Sequence, residues 1–416
     1  MYSKVHAMSN LKEAFQAVKR NRGAAGVDNV TIADYKRDLD GNLEALQSKL
    51  INQTYVPKPV RRVYIDKQDG SKRPLGIPTV EDRIVQQALR QVIEPVFENK
   101  FLDCSYGFRP NRNCHQAVED VNENLKRKYR YVIDADLKSY FDMIDHDLLL
   151  DEIALEIEDN DILSLITKTL KSGILDYGCY QETVRGATQG SNTSPLYGNV
   201  FLHPMDKLLT ERGHKVVRYA DDFVILHTSR KGAERVLKSL TKFLKDKYKL
   251  TLHPEKTKII DTFEEQFTFL GFVFNKGFLG IDKARLKAFK GKVKGLTSRN
   301  QTVNMMYFLK YKLNSIIRGW GNYYGKGNVK RLFKELMRWI KRRLRSMQMR
   351  SWKTPKKFNK ALRKAGWKGE IDSIAIRGWR NTKTIQSHMA MSNKWFKEQG
   401  LVDLVDIYDE FHPQRG

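Results

Sequence analysis

The sequence predicts an α+β fold followed by a basic helical region. Across residues 130–281, short β-branched or aromatic runs alternate with amphipathic helical stretches. Residues 283–368 then read as helix, with 27 Lys and Arg and a single acid, Glu335. Hydrophobic residues make up 41% of the 416, enough for a sizeable core, and wholesale disorder is excluded.

The elements follow in order. Residues 9–20 read as a helix, with Ser9 as cap and Leu11, Phe15 and Val18 on one face. Gly23–Asp28 is a Gly-rich loop. Residues 60–66 alternate as a strand, and Lys67–Gly70 reads as a turn. Thr79 caps a helix to about Phe97, with Ile84, Ala88, Leu89, Val92 and Ile93 as its apolar stripe. Tyr131–Leu137 is a strand carrying two aspartates, and 147–171 reads as one helix. A loop over 186–195 ends with Ser194 as N-cap and Pro195 at the first helical position. Val216–Tyr219 and Phe223–Leu226 flank Ala220-Asp221-Asp222 as a hairpin. Residues 232–248 form an amphipathic helix, and 267–274 with 278–281 form a hairpin across Asn275–Gly277. Beyond it, basic residues interleave with Trp320, Tyr323, Tyr324, Trp339 and Trp352.

Charge divides the chain. The formal net charge is +27, which points to a polyanion, nucleic acid before anionic membrane. Residues 276–416 hold 34 Lys and Arg against 9 Asp and Glu, whereas residues 1–275 hold 41 against 39. Chemistry is therefore expected in the first two-thirds and polyanion grip in the last third. Three cysteines without a C-x-x-C pair argue against a disulfide framework or a Cys-based zinc site. The N-terminus lacks an apolar leader core, and no 18-residue apolar run occurs. These features imply a soluble, cytoplasmic protein without a membrane partner.

Tyr219-Ala220-Asp221-Asp222 carries the chemistry. Adjacent carboxylates between apolar strands repel, and nothing in a hairpin needs both. They become sensible around a divalent cation. Asp136, on another strand, can join them in one sheet, and such an oxygen cluster suits Mg²⁺. Two such ions would support phosphoryl transfer. A bare Asp-Asp is usually a solvated turn; the flanking apolar strands and the upstream Asp-Ala-Asp set this one apart.

RYADDFVIL (218–226) resembles the catalytic motif of group II intron-encoded reverse transcriptases. NRGAAGVDNV (21–30) resembles that family's N-terminal loop, and 73–89 and 105–117 its fingers motifs. VIDADLKSYFDMIDH (132–146) is similar to its first catalytic strand, and IIRGWGNYY (316–324) to its thumb, or maturase, segment. The resemblance covers essentially the whole chain, in the family's order. It implies a right-hand polymerase: fingers and a ferredoxin-like palm over 1–281, a helical thumb over 282–350, and a small basic DNA-binding domain over 351–416. It implies Asp136, Asp221 and Asp222 as metal ligands for two Mg²⁺, with Mn²⁺ as substitute. Lys67 and Arg73 match residues that grip the incoming triphosphate, and Phe141 a steric gate against ribose. Gln189 matches a contact to the template–nucleotide pair, Lys256 a lysine near the leaving phosphate, and Leu270-Gly271-Phe272 the primer grip.

The chain departs from the family at Ser191-Asn192-Thr193, within the nucleotide loop, and at Lys138, where a Glu is common. Pro204 predicts a kink. No Cys/His-rich cluster follows the basic region, so the endonuclease-lacking type is expected. The resemblance implies an RNA-directed DNA polymerase that takes deoxynucleotides, an RNA template and a DNA primer or target, and that binds intron RNA to aid splicing and mobility. A splicing maturase without polymerase activity, and a domesticated enzyme of host defence or repair, are the alternatives. In the basic third, Trp320, Tyr323 and Tyr324 read as core rather than base stackers.

Overall fold

A computed structural model describes residues 1–66, 70, 72–298, 304–352, 354–371 and 384–413. The chain forms two compact units, Met1–Thr262 and Phe263–Gly416.

The first unit carries two sheets. In one, β1 (Val60–Asp66) pairs antiparallel with β2 (Lys72–Ile77). The central sheet contains β3 (Tyr131–Asp136), β6 (Lys215–Tyr219), β7 (Asp222–His227) and β8 (Lys258–Asp261), in the order β6-β7-β3-β8, antiparallel throughout. Between them in sequence, β4 (Ile174–Asp176) runs parallel to β1 and turns back through β5 (Cys179–Gln181), completing the first sheet.

Alternation decides which face of the central sheet is buried. Ile133, Ala135, Val216, Phe223 and Ile225 join the main core, packed with residues of the helices Ser194–Glu211 and Arg230–Tyr248. The alternate set, Val132, Asp134 and Asp136, therefore points to the opposite face. Each buried β-branched or aromatic side chain contributes about 1.5–3 kcal/mol, so a one-residue slip of β3 would be costly. That cost fixes where Asp136 sits.

Several local expectations change. The first long helix is Met8–Asn21, so Ser9 lies inside its first turn and Ala7 precedes it. The region 147–171 is two helices, His146–Ala154 and Asn160–Leu170. Asp159 breaks it, its carboxylate accepting the backbone N–H groups of Asp161 and Ile162. Ser194 is the first helical residue after Thr193, and its hydroxyl donates to the Thr188 carbonyl at 2.7 Å, closing the loop instead of capping. The helix runs on through Pro204 to Glu211. The Thr79 cap forms, with its hydroxyl accepting from the Asp82 N–H.

The second unit opens with a three-stranded sheet, β9 (Phe267–Phe269), β10 (Phe272–Asn275) and β11 (Phe278–Ile281). The sequence reads 267–274 as one strand. Leu270 and Gly271, both at positive φ (51° and 77°), fold it in two. Basic helices follow, including Lys283–Leu296, Asn314–Tyr324 and Lys330–Trp352. Trp320 stacks on Phe289 with ring centroids 4.1 Å apart, and Tyr324 is buried, so these aromatics are core as expected. No helix among the described residues is long and apolar enough to cross a membrane.

Candidate active site

Cross-strand register brings the acidic residues together. Asp136, the last residue of β3, lies directly opposite Asp222, the first residue of β7. Tyr219 pairs with Asp222 across a two-residue turn, Ala220-Asp221, with Ala220 at φ 60°. Asp221 is thus the turn residue and Asp222 opens the strand. Burial raises the pKa of the Asp221 carboxyl above the ordinary value; Asp136 adds to the rise, while Arg73 and Arg218 oppose it. Burial, then the charge of Asp136, pushes Asp134 up to about 6.

One cation of the predicted set contacts this cluster, and a second acts on it by its charge. Lys256 Nζ lies 2.6 Å from Asp136 Oδ2. Arg73, exposed on β2, is felt electrostatically by Asp221. Lys67 lies outside the described residues. Among the described residues, no three His, Cys, Asp or Glu side chains form a closed ligand group. Asp136 and Asp222 face each other with Asp221 adjacent, and Asp136 is engaged by the ammonium of Lys256. The donor set is all oxygen, which suits a hard divalent cation rather than a thiophilic one.

The Ala220-Asp221 turn is held from beneath by residues outside the sequence-derived set. Arg218 and Asp206 are both fully buried and form a bidentate pair, with contacts from 2.6 to 3.1 Å. Arg218 Nη1 also donates to the Ala220 carbonyl and to Asn199 Oδ1, each at 2.9 Å. Asn199 in turn donates to the Gly107 carbonyl. Gly107 abuts the turn so closely that a Cβ there would lie 2.3 Å from the Ala220 nitrogen. The 105–110 segment is therefore a buttress of the turn. The only sequence signal for this network was an Arg inside an otherwise apolar strand.

The 186–195 loop docks on β2. The Gly76 N–H donates to the Gln189 carbonyl at 2.8 Å, which fixes the loop beside β2. Gly190, at φ 111°, touches the Gly76 carbonyl so closely that a Cβ would come within 2.4 Å. The divergent Ser191-Asn192 pair is stapled to the helix Val80–Glu98. The Ser191 hydroxyl and the Asn192 N–H both donate to Gln86 Oε1, and Asn192 Nδ2 donates to Gln87 Oε1. The departure from the family pattern thus has a local structural role. Phe141 is half-buried beside Tyr140, and its ring lies against Gly198 of the Ser194–Glu211 helix.

Comparison with known proteins identifies the family. Residues 65–274 match the family described as reverse transcriptase (RNA-dependent DNA polymerase). Residues 286–366 match the group II intron, maturase-specific domain. The chain is 35% identical over 301 residues to Protein YkfC of Escherichia coli K12, covering 63% of this chain and 79% of that one. It is 30% identical over 374 residues to the group II intron-encoded protein LtrA of Lactococcus lactis subsp. cremoris, covering 73% and 60% respectively. It is also 28% identical over 398 residues to a 91 kDa protein in the cob intron of Schizosaccharomyces pombe, where it spans 49% of that protein's length.

Proposed function

Since the chain belongs to the reverse transcriptase family and carries the group II intron maturase-specific domain, we propose that it extends a DNA primer with deoxynucleotides on an RNA template and binds intron RNA to assist splicing and mobility. The observation that carries this reading is the register that sets Asp136 against Asp222, with Asp221 in the adjoining turn.

The family implies divalent metal dependence; Mg²⁺ is our assignment. Asp136, Asp221 and Asp222 would hold it, and when bound it supplies Lewis-acid activation of the primer 3′-hydroxyl and charge relief at the leaving pyrophosphate. The chain's own side chains do the rest. Arg73, with Lys67, binds the triphosphate oxygens through charge-assisted hydrogen bonds. Lys256 serves the leaving phosphate once substrate competes for its ammonium. Gln189 presents the loop to the template–nucleotide pair. Fingers and palm work over 1–281, a thumb over 282–350 and a small basic domain over 351–416. This division includes β9–β11 with the palm because Leu270-Gly271-Phe272 is assigned to the primer strand.

Primer extension on an RNA template with Mg²⁺ and deoxynucleotides tests the reading. Splicing assistance without any cDNA would leave the maturase role and overturn the polymerase.

Phe141 gives a sharper test. Phe141→Ala should raise ribonucleotide use, read as kcat/KM relative to the matching deoxynucleotide. An unchanged ratio would remove the gate assignment, while a lowered melting temperature with unchanged selectivity would make Phe141 a packing residue against Gly198.

The charge asymmetry gives another. Affinity for RNA should fall steeply as salt rises, with a slope set by the number of phosphates neutralised. A chain ending at Thr262 should bind more weakly and with a shallower slope. Equal slopes would place the RNA grip in the first unit.

A further inference from the structure

Among the exposed aromatics of the basic unit, two sit together on one helical segment. Tyr307 is 59% exposed and Tyr311 58%, with Met306 beside them at 56%. They sit on the helix Met305–Phe308, which continues into a π-helical turn, Leu309–Leu313. The inner face of this segment is complete, since Met305, Phe308, Leu309 and Leu313 are buried. The two tyrosines are therefore not needed to close the core. Their rings nevertheless pair, with centroids 4.6 Å apart and planes tilted by 44°. Lys310 places its ammonium 5.2 Å from the Tyr311 ring.

A helix surface in solvent ordinarily carries charged side chains, so paired exposed aromatics mark a contact surface. A π-helical turn inside a helix is itself rare and recurs at functional positions. The surroundings select the partner. The segment lies within the 283–368 stretch, with 27 basic residues and one acid, which disfavours a basic or neutral protein face and favours a polyanion. Ring faces flanked by lysine match the needs of an unpaired nucleotide: a π surface for the base and a cation for its phosphate.

We propose that Tyr307 and Tyr311 form a stacking platform for unpaired bases of single-stranded RNA, with Lys310 meeting the adjoining phosphate. This rests on the RNA-binding reading above. Bases locked in a duplex present no free face to the platform, so the preference should be for single strands.

The test uses the full chain and a single-stranded RNA oligonucleotide carrying 2-aminopurine, whose fluorescence is quenched by stacking. Wild type should quench it on binding. Tyr307→Ala and Tyr311→Ala should each lose quenching and weaken binding roughly five- to a hundredfold, the usual cost of removing one base–aromatic stack. Tyr311→Phe should retain both, because it keeps the ring. Binding of a fully paired duplex RNA of the same length should change little in the alanine variants. Alanine variants that quench and bind as wild type would overturn the platform. So would equal losses for single strand and duplex, which would mean a general loss of contact. If wild type binds neither RNA, the RNA-binding reading itself falls, an outcome distinct from an intact affinity that ignores the tyrosines. Melting temperatures near that of wild type would exclude unfolding as the cause, as expected for residues more than half exposed.

Discussion

Asp222→Asn should reduce primer extension on an RNA template by on the order of a thousandfold while leaving RNA affinity unchanged. The substitution keeps the side chain's size and the β7 register, and it removes one negative charge from the face shared with Asp136. A preorganised charge at a reacting centre is worth roughly 10²–10³ in rate when a single partner is removed. Loss of a metal-ligand carboxylate should reach the upper end, because it also lowers occupancy of the cation that activates the nucleophile. RNA affinity is expected to rest on the basic unit, whose stretch 283–368 holds 27 Lys and Arg against one acid, and should survive. Stability should change little, since Asp222 is exposed at the start of β7. The measurement is single-turnover extension in Mg²⁺ beside filter binding on intron RNA. Extension at the wild-type rate would remove Asp222 from the site. Joint loss of extension and binding would mean that charge on the palm face orders the RNA-binding region.

The central sheet was legible because its signals are local. β3, β6 and β7 are apolar runs with few competing periods, and Thr79 with Asp82 three residues later announces the helix that follows. The acidic constellation was legible as types and strands, though its register came only with the fold: Asp136 opposite Asp222, Asp221 in the turn. Features that depend on distant partners were not readable. Gln86 and Ser191 are separated by 105 positions, and no pattern in either segment announces their hydrogen bond. The break at Asp159 and the fold at Leu270-Gly271 are different. An acidic N-cap and a glycine inside a strand pattern are both known signals, and here periodicity outweighed them. Tyr307 and Tyr311 were hidden for a third reason. Sequence alone cannot tell a core aromatic from an exposed one when both recur at helical spacing. The buried ones, Phe308 and Tyr324, lie within a few turns of them.

Arg218 should be the most sensitive stability determinant in the first unit, and its pair with Asp206 separates packing from positioning. Both side chains are fully buried, so Arg218→Met leaves a carboxylate without its partner in the core. Breaking a buried pair this way costs roughly 3–5 kcal/mol, which for a unit of this size lowers the melting temperature by about 6–20 °C. Asp206→Leu alone should cost a similar amount by stranding the guanidinium. The double variant, Arg218→Met with Asp206→Leu, replaces both charges with apolar groups of comparable bulk. Such replacements are often neutral or stabilising, so much of the lost stability should return. Activity should not return with it. Arg218 also donates to the Ala220 carbonyl and to Asn199, and Asn199 ties Gly107 against the turn. Without those donors the Ala220-Asp221 turn loses its fixed height above the sheet, and a displacement of about 1 Å at a reacting centre can cost 10²-fold. The double variant should therefore melt near wild type yet extend primers far more slowly, with nucleotide KM changed less than kcat. Recovery of both stability and rate would show that the pair only fills the core. Failure of the double variant to regain stability would mean that the hydrogen bonds to Ala220 and Asn199, rather than the charge pair, carry the fold at this point.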